Sequence, residues 1–151
     1  MSIWWSLHLR REAASVPLAR RLLLDAMDTA GVDPDISFDL SVALSEACAN
    51  AVEHGGDEGP GEPPGAYRVT AYLDGERCRI EVADSGPGFP ARRVVQRTAP
   101  APALTAESGR GLGLIEQLAD HVQFGNRPGH GAVVSFDKIL KWREGALLRA
   151  M

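Results

Sequence analysis

Lysine is nearly absent from this 151-residue chain: Lys138 and Lys141, both close to the C-terminus, are the only two. Neither follows a glycine-rich loop. That excludes a Walker A phosphate loop and a protein-kinase-type strand lysine, since each needs a lysine beside the phosphates. A nucleotide, if one is bound, is held by other means. Cysteine is equally scarce. Cys48 and Cys78 fall in apolar-patterned segments without CxxC spacing or nearby histidines, which reads as two reduced core thiols rather than a disulfide or a metal site. No apolar run approaches the roughly 20 residues needed to span a bilayer. Residues 1–12 also lack the basic-then-apolar layout of a secretory signal. The expectation is a cytoplasmic protein without membrane contact. The formal net charge of −4 argues against a nucleic-acid partner, because phosphate binding needs clustered Lys and Arg over one face.

What remains is enough for one folded unit. An apolar share of 44% over 151 residues supports a single domain, 1–151, with its own core. Ile3 to Arg10 reads as a first strand. Ala19, Leu22, Leu23, Ala26, Met27 and Ala30 then recur at helical spacing before Gly31 ends the helix. Pro34 opens a second helix reaching about His54, with Leu40, Ala43, Leu44, Ala47 and Ala51 facing inward and Gly55-Gly56 as its stop. After an acidic Gly/Pro-rich loop at 57–65, Tyr67, Val69, Ala71 and Leu73 alternate with polar residues. Gly75-Glu76 gives a turn, and Cys78, Ile80 and Val82 alternate again. The stretch 85–109 has no long period, and residues 91–108 read as a flexible lid. A third helix is expected over 112–120, then a closing hairpin from Val122–Asn126 and Ala132–Ile139, and a C-terminal tail at 140–151. The order predicts an α+β two-layer sandwich, a mixed and mostly antiparallel sheet with helices on one face.

Three features of this frame carry chemistry. Glu46, Asn50 and His54 recur every four residues along the second helix, so they share nearly one face. The plain alternative is a solvated helix face, yet such faces usually mix Lys and Arg with their acids, and this one is framed by Val42, Ala47, Cys48 and Ala49. Period-two alternation then places Asp84 on the same side as Cys78, Ile80 and Val82. A carboxylate buried there needs donors, and the amino edge of a purine is one. Gly86 and Gly88 follow in Asp84-Ser-Gly-Pro-Gly88, which could equally be a strand-ending Asx turn. Last, Gly109, Arg110, Gly111, Leu112 and Gly113 lead into a helix start, where unpaired N–H groups and the dipole favour an anion. Alone, that run is an ordinary glycine-rich helix entry too.

Order and spacing together resemble the N, G1 and G2 boxes of the GHKL (Bergerat-fold) ATPase superfamily, here LSEACANAVEH, DSGPG and ESGRGLGL. The chain looks most like the anti-sigma factor serine kinases within it. This resemblance implies ATP and Mg²⁺ as ligands. It implies that Asn50 coordinates the metal, that Asp84 accepts the adenine amino group and that Glu46 is the general base for a substrate serine. It further implies that Asn50, His54, Gly86, Gly88, Gly109, Arg110, Gly111, Leu112 and Gly113 line the nucleotide. Arg20, Arg21 and Leu24, on the outer side of the first helix, would meet the partners: a sigma factor that is sequestered and an anti-anti-sigma protein of STAS type that is phosphorylated. Such relatives are often homodimers. The other function the pattern allows is an ATP-binding module that captures partners without significant kinase activity. One departure stands out. Many relatives carry Thr after the glycine of the last hairpin, whereas Gly131 is followed here by Ala132, so weaker ATP affinity is expected.

Overall fold

The computed structural model describes residues 2–54, 66–84, 96–97, 113–127 and 131–144. Strand β1 (Ile3–Arg10) is followed by helices α1 (Ser15–Ala30) and α2 (Pro34–His54). Strands β2 (Ala66–Leu73), β3 (Arg77–Asp84) and the two-residue β4 (Gln96–Arg97) come next. Residues 113–118 form α3, and β5 (His121–Arg127) and β6 (Gly131–Ile139) close the chain order. The strands make one sheet in the order β1-β2-β3-β6-β5-β4, and every pairing among them is antiparallel.

Alternation sets the layers. Leu9, Tyr67, Val69, Ala71, Leu73, Cys78, Ile80, Val82, Phe124, Val134 and Phe136 are buried on the inward face. Against them lie Ala19, Leu23, Met27 and Ala30 of α1 and Leu40, Ala43, Leu44, Ala47, Cys48 and Ala51 of α2. Each fully buried aliphatic side chain of this kind contributes about 2 kcal/mol. No helix among the described residues is long and apolar enough to cross a membrane.

Four expectations need correction. Helix α1 starts at Ser15 rather than near Ala19, because its cap, Ala14, makes no side-chain hydrogen bond and so leaves no capping signal to read. Leu22, expected inward, is 39% exposed. Leu24, expected outward, is half-buried. With Leu23 on the core axis and about 100° between successive residues, its two neighbours can only flank the buried stripe. The expected lid also contains β4, where Gln96 and Arg97 pair with Gln123 and Val122; two residues are too few to show a period.

Helix ends are fixed by identifiable contacts. Gly31 takes φ 90°, and its N–H reaches the carbonyls of Asp28 and Met27, a left-handed stop that favours glycine. Asp33 Oδ1 accepts from the Asp35 N–H at 2.8 Å, capping α2 just before Pro34. The start of the C-terminal tail straps this end of the molecule. Trp142 bridges to Val32, Trp142 Nε1 donates to the Gly75 carbonyl at 3.0 Å, and the Arg143 guanidinium spans the Asp28 carboxylate and carbonyl at 2.9 and 2.6 Å.

Candidate functional site

The opposite end of the sandwich holds the polar residues singled out above. Asp84 closes β3 on the inward face and is 6% exposed. Its Oδ1 accepts the Ala132 backbone N–H at 3.2 Å. Gly131, at φ 79°, makes the left-handed turn that brings this N–H into β6. Where relatives place a threonine, this chain therefore offers Asp84 a backbone donor and, from the Ala132 side chain, only a buried methyl.

Tyr67 pairs with Asp84 across β2 and β3, and behind it runs a buried polar chain. Ser15 Oγ spends its one proton on the Glu12 carbonyl at 2.7 Å. The Tyr67 hydroxyl, 2.5 Å away, must then be the donor to Ser15. The Cys48 thiol of α2 faces the same Tyr67 hydroxyl. Burial pushes the Cys48 thiol up to about 12 and, helped by the Cys48 neighbour, the Tyr67 phenol up to about 12. Both are held neutral. This chain of contacts sets Cys48 of α2 near the Asp84 end of β3, while Glu46 and Asn50, each two residues from Cys48, point about 200° around the helix from it. Glu46 and Asn50 are each half-buried. No hydrogen bond among the described residues ties down either side chain. Arg11 Nε donates to the Val52 carbonyl at 2.9 Å, anchoring the last turn of α2 beside them.

The other expected site residues divide by position. Gly113 opens α3 with nothing within 4 Å of an added Cβ, so crowding does not demand glycine there. The side chain of His54, together with Gly86, Gly88, Gly109, Arg110, Gly111 and Leu112, lies outside the described residues. Arg20 and Arg21 are exposed on α1. Sequence reasoning missed Tyr67, Ser15 and Arg11. Only Tyr67 left a trace: it is an inward strand residue whose hydroxyl must find a partner. Among the described residues no group of three His, Cys, Asp or Glu could hold a metal ion. Any cation at this end would rest on one or two protein oxygens plus ligand phosphates, the manner of Mg²⁺ rather than of a caged metal.

An antiparallel sheet covered on one face by α1 and α2, with a buried carboxylate closing β3 beside a polar stripe on α2, is the arrangement of a Bergerat-type ATPase domain. The chain belongs to the histidine kinase-like ATPase domain family, whose model matches residues 9–138. Membership implies ATP binding. The fold is shared with the RsbU and RsbW domains of Rv1364c from Mycobacterium tuberculosis, with a TM-score of 0.63 and 22% identity. That match covers 91% of this chain but 33% of the other, so this chain spans about a third of it. The catalytic domain of histidine kinase ThkA matches with a TM-score of 0.56 and 16% identity, over 93% of this chain and 99% of that one. The mycobacterial sensor histidine kinase MprB gives 0.51 and 17%, over 92% and 100%. Identities this low establish a common fold alone. No curated protein matches the chain.

Proposed function

We propose that this chain is an ATP-dependent serine kinase that phosphorylates a small anti-anti-sigma protein of STAS type and sequesters a sigma factor in the cytoplasm. What supports the reading is Asp84, buried at the inward end of β3 with the Ala132 N–H on its carboxylate, together with the half-buried Glu46 and Asn50 of α2. In this reading Asp84 accepts the amino group of adenine while the Ala132 N–H holds its carboxylate in place. Asn50 offers an amide oxygen to Mg²⁺. The metal, when bound, supplies charge neutralisation on the phosphates. Gly113, with the preceding Gly109, Arg110, Gly111 and Leu112, borders the phosphates, and His54, Gly86 and Gly88 complete the pocket. Glu46, with no protein partner among the described residues, is placed to take the proton of an incoming serine hydroxyl.

Two further points support the kinase reading over a pure binding module. Glu46 keeps a carboxylate at the position that the resemblance gives to the base, and a domain that only holds nucleotide needs none. The shared fold with a structure described as containing an RsbW domain also points to sigma-factor regulation as the setting. The exposed Arg20 and Arg21, with the half-buried Leu24, then form the partner-facing side of α1. The test is incubation with γ-labelled ATP and a STAS-type partner. Glu46→Gln should lower transfer by ~100-fold, the usual contribution of a general base, with nucleotide affinity kept within a few-fold. Transfer by that variant at the wild-type rate would remove Glu46 as the base and leave capture of partners as the function.

A further inference from the structure

In the reading above, helix α2 brings its C-terminal turn to the nucleotide, and that is the unfavourable end for phosphates. The last four carbonyls of a helix lack partners within it and carry the negative pole of its dipole. In α2 these belong to residues 51–54, directly after Asn50. The helix also carries Asp35, Asp39, Glu46 and Glu53 with no Lys or Arg. The strand register places a cation at this end. Leu9 pairs with Tyr67 and Tyr67 with Asp84, one row across β1, β2 and β3, so the chain leaves β1 at the Asp84 end. Arg11, half-buried, is the first residue past that strand. Its Nε donates to the Val52 carbonyl at 2.9 Å, 41 residues away in sequence.

The turn that presents Arg11 is itself tied down. The Glu12 N–H donates to the Arg10 carbonyl at 2.8 Å, and Ser15 gives both its backbone N–H and its hydroxyl to the Glu12 carbonyl, at 3.0 and 2.7 Å. A guanidinium fixed in this way does two things for α2. It satisfies one of the unpartnered carbonyls, which keeps the last turn from fraying, and it offsets the negative pole. We infer, on the nucleotide reading above, that Arg11 is a positioning residue for the phosphate side of the site. Through the Val52 carbonyl it holds the turn that runs from Asn50 to His54, and its charge lets phosphates approach a helix end that would otherwise repel them. Asp84, on β3, serves the base, so the two residues act on different parts of one ligand.

Calorimetric titration of the full-length chain with Mg²⁺-ATP and with adenosine, which has the base but no phosphates, separates these parts. Arg11→Met keeps much of the side-chain length and loses charge and donor. Its Mg²⁺-ATP affinity should fall ~10-fold, the scale on which a metal site responds to loss of a supporting group, with adenosine affinity kept within about twofold. Arg11→Lys, which retains the charge and a donor, should recover most of the loss. Should Arg11→Met not fold, the unmutated chain gives the answer: its Arg11 Nε–H resonance should shift with Mg²⁺-ATP and not with adenosine. Equal loss of both ligands in Arg11→Met would make Arg11 a general support of the fold and overturn the assignment. Unchanged Mg²⁺-ATP affinity, a lysine variant as weak as the methionine one, or a resonance unmoved by Mg²⁺-ATP would overturn it too. Asp84→Asn, titrated in parallel, keeps this role distinct from the nucleotide reading. If it weakens both ligands while Arg11→Met weakens neither, the nucleotide site stands and the role of Arg11 falls. If the unmutated chain binds neither ligand, the nucleotide reading falls and the role of Arg11 with it.

Discussion

The two ends of the sandwich are both polar but use their polar groups differently. At the strap end they are spent on the chain itself. Arg143 closes the C-terminus of α1, Asp74 Oδ1 takes the N–H groups of Glu76 and Arg77 in the β2–β3 turn at 2.7 and 2.8 Å, and Trp142 Nε1 reaches the Gly75 carbonyl. At the other end the buried carboxylate of Asp84 takes the Ala132 N–H, its strand partner Tyr67 is buried and neutral, and Glu46 and Asn50 of α2 are half-buried. Polar groups held at the edge of a core without closing a helix or a turn are of the kind retained for a ligand. Polar groups at the strap end should therefore matter to stability, and those at the Asp84 end to binding.

The sharpest way to break that contrast is Asp84→Asn. Turning an acceptor-only carboxylate into an amide presents the wrong pattern to an adenine amino group. Loss of a hydrogen bond to a charged partner is worth ~2 kcal/mol, so ATP affinity should fall by about 30-fold. The melting temperature should stay close to wild type, because Oδ1 can still accept the Ala132 N–H. Calorimetry giving wild-type affinity would remove Asp84 from the nucleotide pocket. The converse variant is Arg143→Ala. It strips the α1 terminus of a charge-assisted clamp, and since the guanidinium is half exposed, a loss of ~1 kcal/mol in urea unfolding is expected. ATP affinity should not change. A variant that unfolded normally but bound ATP poorly would mean that the two ends are coupled.

The fold behind this contrast could largely be read from the sequence, and the parts that could not have physical causes. Strand β1 spans Ile3–Arg10 as its alternation suggests. The inward residues expected on α2, Leu40, Ala43, Leu44, Ala47 and Ala51, are all buried. Period-two spacing also sufficed to bury Asp84. The start of α1 was hidden because Ala14 caps it without a side chain, and β4 because two residues carry no pattern. The Ser15–Tyr67–Cys48 chain was hidden for another reason: Ser15 and Tyr67 lie 52 residues apart on different elements from Cys48, and only the fold brings the three together. The strap was equally illegible, since Trp142 and Arg143 find Val32, Asp28 and Gly31 across the whole length of the chain.

That buried chain gives the smallest effect, a change in how steeply stability falls at alkaline pH. Burial holds Cys48, Tyr67 and Cys78 up to about 12, from ordinary values of 9.0, 10.0 and 9.0. The folded state keeps these protons after the unfolded chain has released them. Stability is therefore fully present below about pH 9 and falls as pH rises from about 9 towards 12, each such group adding ~1.4 kcal/mol per pH unit to the slope. Tyr67→Phe keeps the ring and removes one titrating hydroxyl. At neutral pH it should cost ~1 kcal/mol for the lost bond to Ser15. Above the ordinary tyrosine value its stability should fall less steeply than that of wild type, narrowing the gap between the two by about 0.7 kcal/mol at pH 10.5. Urea midpoints across the alkaline range check this. Parallel decline in the two proteins would mean that Tyr67 ionises as freely when folded as when unfolded, and that the layer beneath Asp84 is open to water. A narrowing gap with unchanged ATP affinity at neutral pH would assign the hydroxyl to the support of the site rather than to the ligand.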